Sequence, residues 1–393
     1  MADDLERLRF VAEADVLKAG QLAGQLRRSG SGGVSFNYLP DYNGVPVATS
    51  LPLGTASVTS TGGGLPAFFA GLLPEGHRLT VLRRAAKTSM DDELTLLLAI
   101  GSDVPGDVQV VPAGTSSDAL PPLAASEAST LDFAQLVEAP DRHGIPGVQA
   151  KASATMLTTP LNTAGLQAIL KTDPPDYPHL VVNEALHLKV AKVLGLPVAT
   201  AHVVHDKWGK AGLLVERFDR KLDDSGAWGR LAMEDAAQVM DVLPAAKYNV
   251  AAEDVVLALS GVVKAPAVAV RNLYLQFVFA WLTGNGDLHA KNVSVLSGRD
   301  GGLVVAPVYD IPCTALYRDL TLALPVAGKT KNLRARHWVE FADAVGLPQR
   351  AARSANRLAL KAALHADLAT LPFDGSALHG AQRELRHRRE EFR

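Results

Sequence analysis

One cysteine, Cys313, stands in 393 residues, so the chain can close no internal disulfide and build no cysteine-based zinc cluster. That usage excludes a disulfide-stapled secreted domain and fits a reducing cytoplasm. An excess of one charge sign is missing too: 39 Lys and Arg against 41 Asp and Glu leave a net charge of −2. No global positive field therefore draws the chain to nucleic acid or an anionic membrane, and such a partner has to be met by a local patch or through another protein. The most apolar stretch, Val255 to Thr283, is interrupted by Lys264, Pro266 and Arg271, short of the about 20 apolar residues a membrane span needs. The opening Met1-Ala2-Asp3-Asp4-Leu5-Glu6-Arg7 is acidic and alternating, unlike a secretory signal. There is no Walker sequence, no zinc-ligand spacing of histidines and acids, and no visible internal repeat. The expectation is a soluble cytoplasmic protein with no membrane partner. A hydrophobic share of 48% is ample for a buried core and excludes a disordered or fibrous chain.

What is present is a strand-rich first half followed by a helical second half. Ala14 to Leu17 and Val34 to Leu39 read as strands with turn residues Ser29 to Gly33 between them, and Pro66 to Leu73 and Asp91 to Ile100 read as helices. From Pro112 to Thr130 the composition shifts to Pro, Ser, Ala and Gly without periodicity, as in a surface linker. Strand-like runs return at Ile169 to Lys171 and Ala201 to Val204. They flank a helix predicted to start at an Asn183 cap, to turn Leu186, Val190, Val193 and Leu194 to one face, and to stop at Gly195. Beyond Arg230 the patterns are helical almost throughout, and the mixed-sign tail from Arg383 to Arg393 reads as a solvated helix.

The densest polar signal follows the long apolar helix: Thr283-Gly284-Asn285-Gly286-Asp287-Leu288-His289-Ala290-Lys291-Asn292. An Asp with an Asn five positions later has the spacing of a kinase catalytic loop, where the Asp orients or deprotonates a hydroxyl and the Asn binds magnesium. The same residues also make ordinary turns. A second acid, Asp310, follows the apolar run ending Val308-Tyr309, and is the candidate for the further hard oxygen ligand that magnesium needs, or else a cap of the next turn.

Upstream, Lys171 and Glu184 are the candidate pair of a strand lysine held by a helix glutamate against nucleotide phosphates. Separately, Lys171 could lie along a strand edge and Glu184 could favour a helix N-terminus. Gly147-Val148-Gln149-Ala150-Lys151 could bring backbone amides to phosphate or be a plain loop. Glu216-Arg217-Phe218-Asp219-Arg220 could offer backbone to an adenine or be a solvated charge cluster. His289 lies inside the loop and could order it, and Cys313 reads as buried packing rather than a nucleophile.

In this order these residues resemble the HipA family of bacterial serine/threonine kinases, the toxin halves of HipBA toxin–antitoxin modules. The resemblance spans nearly the whole chain. It runs from Phe36-Asn37-Tyr38 and Leu72-Leu73-Pro74-Glu75-Gly76 through the three motifs above to Tyr309-Asp310 and Arg336-His337-Trp338. It implies an α+β, protein-kinase-like fold with a strand-rich N-terminal part and an all-helical C-terminal part. The expected division is an α+β unit over 1–115, a linker over 116–140, a nucleotide-binding N-lobe over 141–225 and a helical lobe over 226–393. It further implies Asp287 as catalytic base, and Asn292 and Asp310 as magnesium ligands. The ATP side would have Lys171 steadied by Glu184, the Glu216 to Phe218 backbone on adenine, His289 beside them, and a mobile loop at Gly147, Val148, Gln149 and Lys151.

The implied target is a translation component such as an aminoacyl-tRNA synthetase, and the implied partner a HipB-like helix-turn-helix antitoxin through which DNA is met indirectly. Two positions depart from the family pattern. Gly144 stands where relatives carry an autophosphorylated serine, which raises loss of self-inactivation, with Ser153 or Thr155 as substitutes. Met233 stands where several relatives have Gln. The rival readings are a small-molecule or lipid kinase, since the Asp-to-Asn spacing does not name the acceptor, and a catalytically silent corepressor acting with its antitoxin.

Overall fold

The computed structural model describes residues 2–30, 32–116, 128–138, 157–163, 166–223 and 225–393. After a short helix α1 (Ala2–Arg7), strands β1 (Glu13–Lys18) and β2 (Gln21–Arg28) pair antiparallel across Ala19 and Gly20, both at positive φ, 48° and 80°. A two-residue turn of that hand matches the twist of the strands it joins. With β3 (Val34–Tyr38), β4 (Val58–Thr59) and β5 (Val108–Pro112) they form a five-stranded sheet in the order β4-β3-β2-β1-β5. Three helices, α2 (Ala67–Gly71), α3 (Gly76–Ala86) and α4 (Glu93–Ile100), contribute Phe68, Phe69, Leu82, Leu94 and Leu97 to a core closed by Phe36 and Leu26 of the sheet. Asp92 caps α4 by accepting the Thr95 N–H at 3.4 Å.

A second antiparallel sheet has the order β6-β7-β9-β8, from β6 (Leu157–Thr163), β7 (Leu166–Thr172), β8 (Ala201–His205) and β9 (Ala211–Glu216). The short helix α5 (Phe133–Glu138) packs beside it through the buried Phe133. Helix α6 (Leu180–Ala191) corrects one expectation: Asn183 lies inside it and is not its cap. The carboxylate of Asp173 holds the helix start instead, accepting the N–H of His179 at 2.9 Å and of Val181 at 2.7 Å. Asn183 serves a distant segment, donating to the Cys313 carbonyl and accepting its N–H. The stop at Gly195, φ 66°, is as the pattern predicts.

A small hairpin, β10 (Arg220–Leu222) with β11 (Trp228–Arg230), leads to the helical region. Helices α7 (Ala236–Val239), α8 (Ala252–Val262), α9 (Pro266–Thr283), α10 (Ala335–Ala344) and α11 (Gln349–Ala363) share one large core with α6. A three-stranded sheet, β12 (Met233–Asp235), β13 (Ser294–Ser297) and β14 (Leu303–Val305), sits within this region, which periodicity alone did not separate from its helices. No helix among the described residues is long and apolar enough to cross a membrane.

Two charge patterns differ from their sequence reading. The last helix, α12 (Gly375–Glu390), is not merely solvated: Leu385 and Arg388 are buried. The Arg388 guanidinium lies 3.7 Å over the Trp281 ring and donates to the Trp281 and Leu320 carbonyls. The cluster after β9 is likewise interior. Arg217 and Arg220 pair with Asp219 and reach Asp103 of the first unit at 3.0 and 2.7 Å, all four residues buried. Burial alone would raise the Asp219 carboxyl, but the two guanidinium groups outweigh it and hold it far below the carboxylate range. This seam ties the first unit to the strand end where a hinge was expected.

Candidate active site

Helix α9 ends because Gly284 takes φ 73°, a left-handed turn where a Cβ would stand 2.9 Å from the Ala315 methyl. Two residues on, a Cβ on Gly286 would lie 2.6 Å from both Thr314 Oγ1 and the Thr321 carbonyl, so only glycine lets the loop pass. The loop then presents Asp287, fully buried. Its N–H donates to Asn285 Oδ1 at 2.8 Å, and its carbonyl accepts the His289 N–H at 2.8 Å and Asn292 Nδ2 at 3.0 Å. The Asp-to-Asn spacing thus closes a small ring in which Asn292 fixes the Asp287 backbone.

Tyr248 donates its hydroxyl to Asp287 Oδ1 at 2.9 Å. Burial, together with the Asp287 carboxylate, holds that phenol protonated above its ordinary range. His289 accepts the Lys291 N–H on Nδ1, so the ring proton sits on Nε2, 3.9 Å from Asp287 Oδ2. The Tyr248 and His289 rings meet edge to face, centroids 5.0 Å apart. These contacts seat His289 within the loop.

Lys171 on β7 and Glu184 in the second turn of α6 form a buried pair, Nζ to both carboxylate oxygens at 2.8 and 2.9 Å. The same ammonium is 2.8 Å from Asp310 Oδ1. Burial alone would favour neutral lysine, but Asp310 and Glu184 outweigh it and keep Lys171 protonated. Burial pushes Glu184 up, to about 7, against the pull of the ammonium it shares with Asp310. Asp310 itself takes φ 53°, a conformation uncommon outside glycine, directly after Tyr309, whose hydroxyl donates to the Lys291 carbonyl at 2.8 Å. Asp310 is thus held by tertiary contacts and is not a turn cap.

Among the described residues, Asp310 Oδ2 and Asn292 Oδ1 accept no hydrogen bond, and no three acids or histidines cluster to make an all-protein metal cage. One carboxylate oxygen and one amide oxygen suit magnesium, which takes few protein ligands and completes its shell with water and phosphate. Glu216 ends β9, and the Phe218 ring lies 5.4 Å from that of Tyr309, so the expected adenine segment borders the segment that carries Asp310. Gly147, Val148, Gln149 and Lys151, with Gly144, Ser153 and Thr155, lie outside the described residues. Met233 pairs with Leu296 in the small sheet.

Four residues near the loop were not singled out by sequence. Lys247 and Tyr248 sit between α7 and α8 in no motif, Lys291 looked like one more loop charge, and Glu75 was visible only within the Leu72 to Gly76 motif. The buried Lys247 pairs with Glu75 Oε2 at 2.5 Å, and Lys291 donates to the Gly71 carbonyl at 2.7 Å and Asp235 Oδ2 at 2.9 Å.

Family models match in two blocks, the HipA N-terminal domain over residues 14–111 and the HipA-like C-terminal domain over 143–366. The chain belongs to the HipA family. It is 31% identical over 361 residues to "Putative kinase Y4mE" of Sinorhizobium fredii, covering 84% of this chain and 85% of the relative. It is 28% identical over 346 residues to the serine/threonine-protein kinase toxin HipA of Shewanella oneidensis, covering 80% and 78%. A solved Shewanella oneidensis structure, the HipA and HipB toxin–antitoxin system with its operator DNA, superposes with a TM-score of 0.75 at 23% identity and 96% coverage of both chains. That likeness shows the fold, which is HipA-like, strand-rich first and helical after.

Proposed function

We propose that this HipA-family chain is an ATP- and magnesium-dependent serine/threonine protein kinase and the toxin half of a toxin–antitoxin module. The observation that carries the reading is Lys171 held between Glu184 and Asp310, with Tyr309, the neighbour of Asp310, donating its hydroxyl to the Lys291 carbonyl of the Asp287–Asn292 loop. An ammonium fixed by a helix carboxylate is poised for nucleotide phosphates, and phosphoryl transfer needs little else than positioning and charge neutralisation. Asp287 orients the acceptor hydroxyl and takes its proton on a carboxylate oxygen. Asn292 keeps the Asp287 backbone in register while its own amide oxygen, with Asp310 Oδ2, offers the hard ligands. Magnesium, when bound, would supply neutralisation of the phosphate charge.

The partner in this reading is a HipB-like helix-turn-helix antitoxin, through which the chain meets DNA, and the target a translation component such as an aminoacyl-tRNA synthetase. Support for both is the family membership. The test is labelling of a cell lysate by the chain with γ-labelled ATP and magnesium, beside an Asp287→Asn control, with labelled species identified by mass spectrometry. A phosphoserine on a translation protein, absent from the control, is expected. Label confined to a small molecule or lipid would replace the protein-kinase reading, and no difference from the control would remove it.

A further inference from the structure

Two buried lysines run from the helical region to the first unit, one within the Asp287 loop and one beside it. Lys291, within the loop, donates to the Gly71 carbonyl at the end of α2. Lys247, 1% exposed, gives its ammonium to Glu75 at the start of α3, and its carbonyl accepts the Ala290 N–H of the loop at 3.3 Å. The next residue is Tyr248, the hydroxyl donor to Asp287 Oδ1. Lys247 Nζ also lies 5.3 Å from the centroid of the Tyr248 ring.

We propose that Glu75 is a positioning residue: by anchoring Lys247 it holds Tyr248 against Asp287, so the N-terminal unit fixes the orientation of the proposed catalytic carboxylate. This rests on the kinase reading above. Energetics support the assignment. The other carboxylate oxygen, Glu75 Oε1, is buried and has no hydrogen bond among the described residues. A buried ion pair with an unsatisfied oxygen is a poor stabiliser compared with apolar residues of equal volume, which argues against a purely structural purpose. Geometry supports it as well, since the Lys247-Tyr248 dipeptide meets the loop twice, through the Lys247 carbonyl at Ala290 and through the Tyr248 hydroxyl at Asp287.

The experiment is a kinetic double-mutant cycle on the full chain: Tyr248→Phe, Glu75→Gln and both together, with Asp287→Asn as the blank, reading ADP formation from Mg–ATP and a protein lysate as acceptor. Tyr248→Phe keeps the ring against His289 and removes only the hydroxyl, and thermal melting confirms the fold of each variant. Each single change is expected to lower kcat about 10-fold to 100-fold, as for a misplaced reacting group, with KM for ATP within about twofold. Because Glu75 acts through Tyr248, adding Glu75→Gln to Tyr248→Phe is expected to cost little more. A folded Tyr248→Phe chain with wild-type kcat, or fully multiplicative losses, overturns the proposal while leaving the kinase reading standing. Wild-type turnover no greater than that of Asp287→Asn would overturn the kinase reading itself, and this inference with it.

Discussion

Lys171 Nζ stands 2.8 Å from Asp310 Oδ1, across 139 positions of sequence, while the same ammonium holds Glu184. The proposed phosphate-binding cation is thus paired with the proposed metal ligand. Phosphates and magnesium together would separate the two, each taking one partner. An ATP molecule without metal has to compete with Asp310 for Lys171. Asp310→Asn is therefore expected to bind free ATP in EDTA more tightly than wild type, about tenfold for about 1.4 kcal/mol, and Mg–ATP more weakly. Titration calorimetry in EDTA and in magnesium checks both signs, and weaker binding in both would show that Asp310 does not restrain Lys171.

The ionic seam should govern acid stability. Asp219 and Asp103 are held below the ordinary carboxylate range, Asp219 by Arg217 and Arg220 against its burial and Asp103 by the same arginines. A carboxylate depressed in the folded state adds stability that is complete above its unfolded value, near 4, and is lost as pH falls toward the folded value. Removing one partner of such a buried network typically costs about 3–5 kcal/mol. Asp219→Asn is expected to melt earlier at pH 7 and to lose stability less steeply than wild type between about pH 5 and 3. Parallel melting-versus-pH curves for the two proteins would contradict this.

Gly286 admits no side chain. With Thr314 Oγ1 and the Thr321 carbonyl each 2.6 Å from a Cβ there, Gly286→Ala has to shift the loop that carries Asp287. Transfer is expected to fall about 100-fold, the cost of a displacement near 1 Å, while Mg–ATP affinity changes little. Unchanged initial rates would show that the loop absorbs the methyl.

Arg388 gives the tail a structural task. Its guanidinium covers Trp281 and holds two carbonyls, so Arg388→Ala strands the buried Trp281 carbonyl and opens a void. A loss of about 3 kcal/mol is expected in urea unfolding, in the range of core truncations and unpaired buried groups. A change below about 0.5 kcal/mol, typical of an exposed site, would return α12 to the solvated reading.

The order of elements and the polar constellation were legible because both rest on short-range rules. Gly195 and Gly284 stop helices, and the spacing of Asp287 and Asn292 lets one side chain reach the other's backbone. What sequence did not yield depends on contacts between distant segments. Asp173 rather than Asn183 holds the start of α6 because its carboxylate arrives from a strand end. Arg217 to Arg220 look like surface charges until Asp103 supplies their counter-ion from another unit, and Arg388 until Trp281 is beneath it. Lys247 and Tyr248 carry no local pattern, and the Leu72 to Gly76 motif does not tell what Glu75 touches, because the meaning of the three lies in one another.

In the proposed reading Asp287 takes the acceptor proton during phosphoryl transfer, while nucleotide binds without it. The direct measurement is single-turnover transfer from γ-labelled ATP by wild type and Asp287→Asn, with the Mg–ATP dissociation constant of each taken in parallel. A loss of about 1,000-fold or more in transfer rate is predicted, within the reach of a lost catalytic base, with affinity conserved within about threefold. Transfer by Asp287→Asn at a rate close to wild type, with the same affinity, would contradict it.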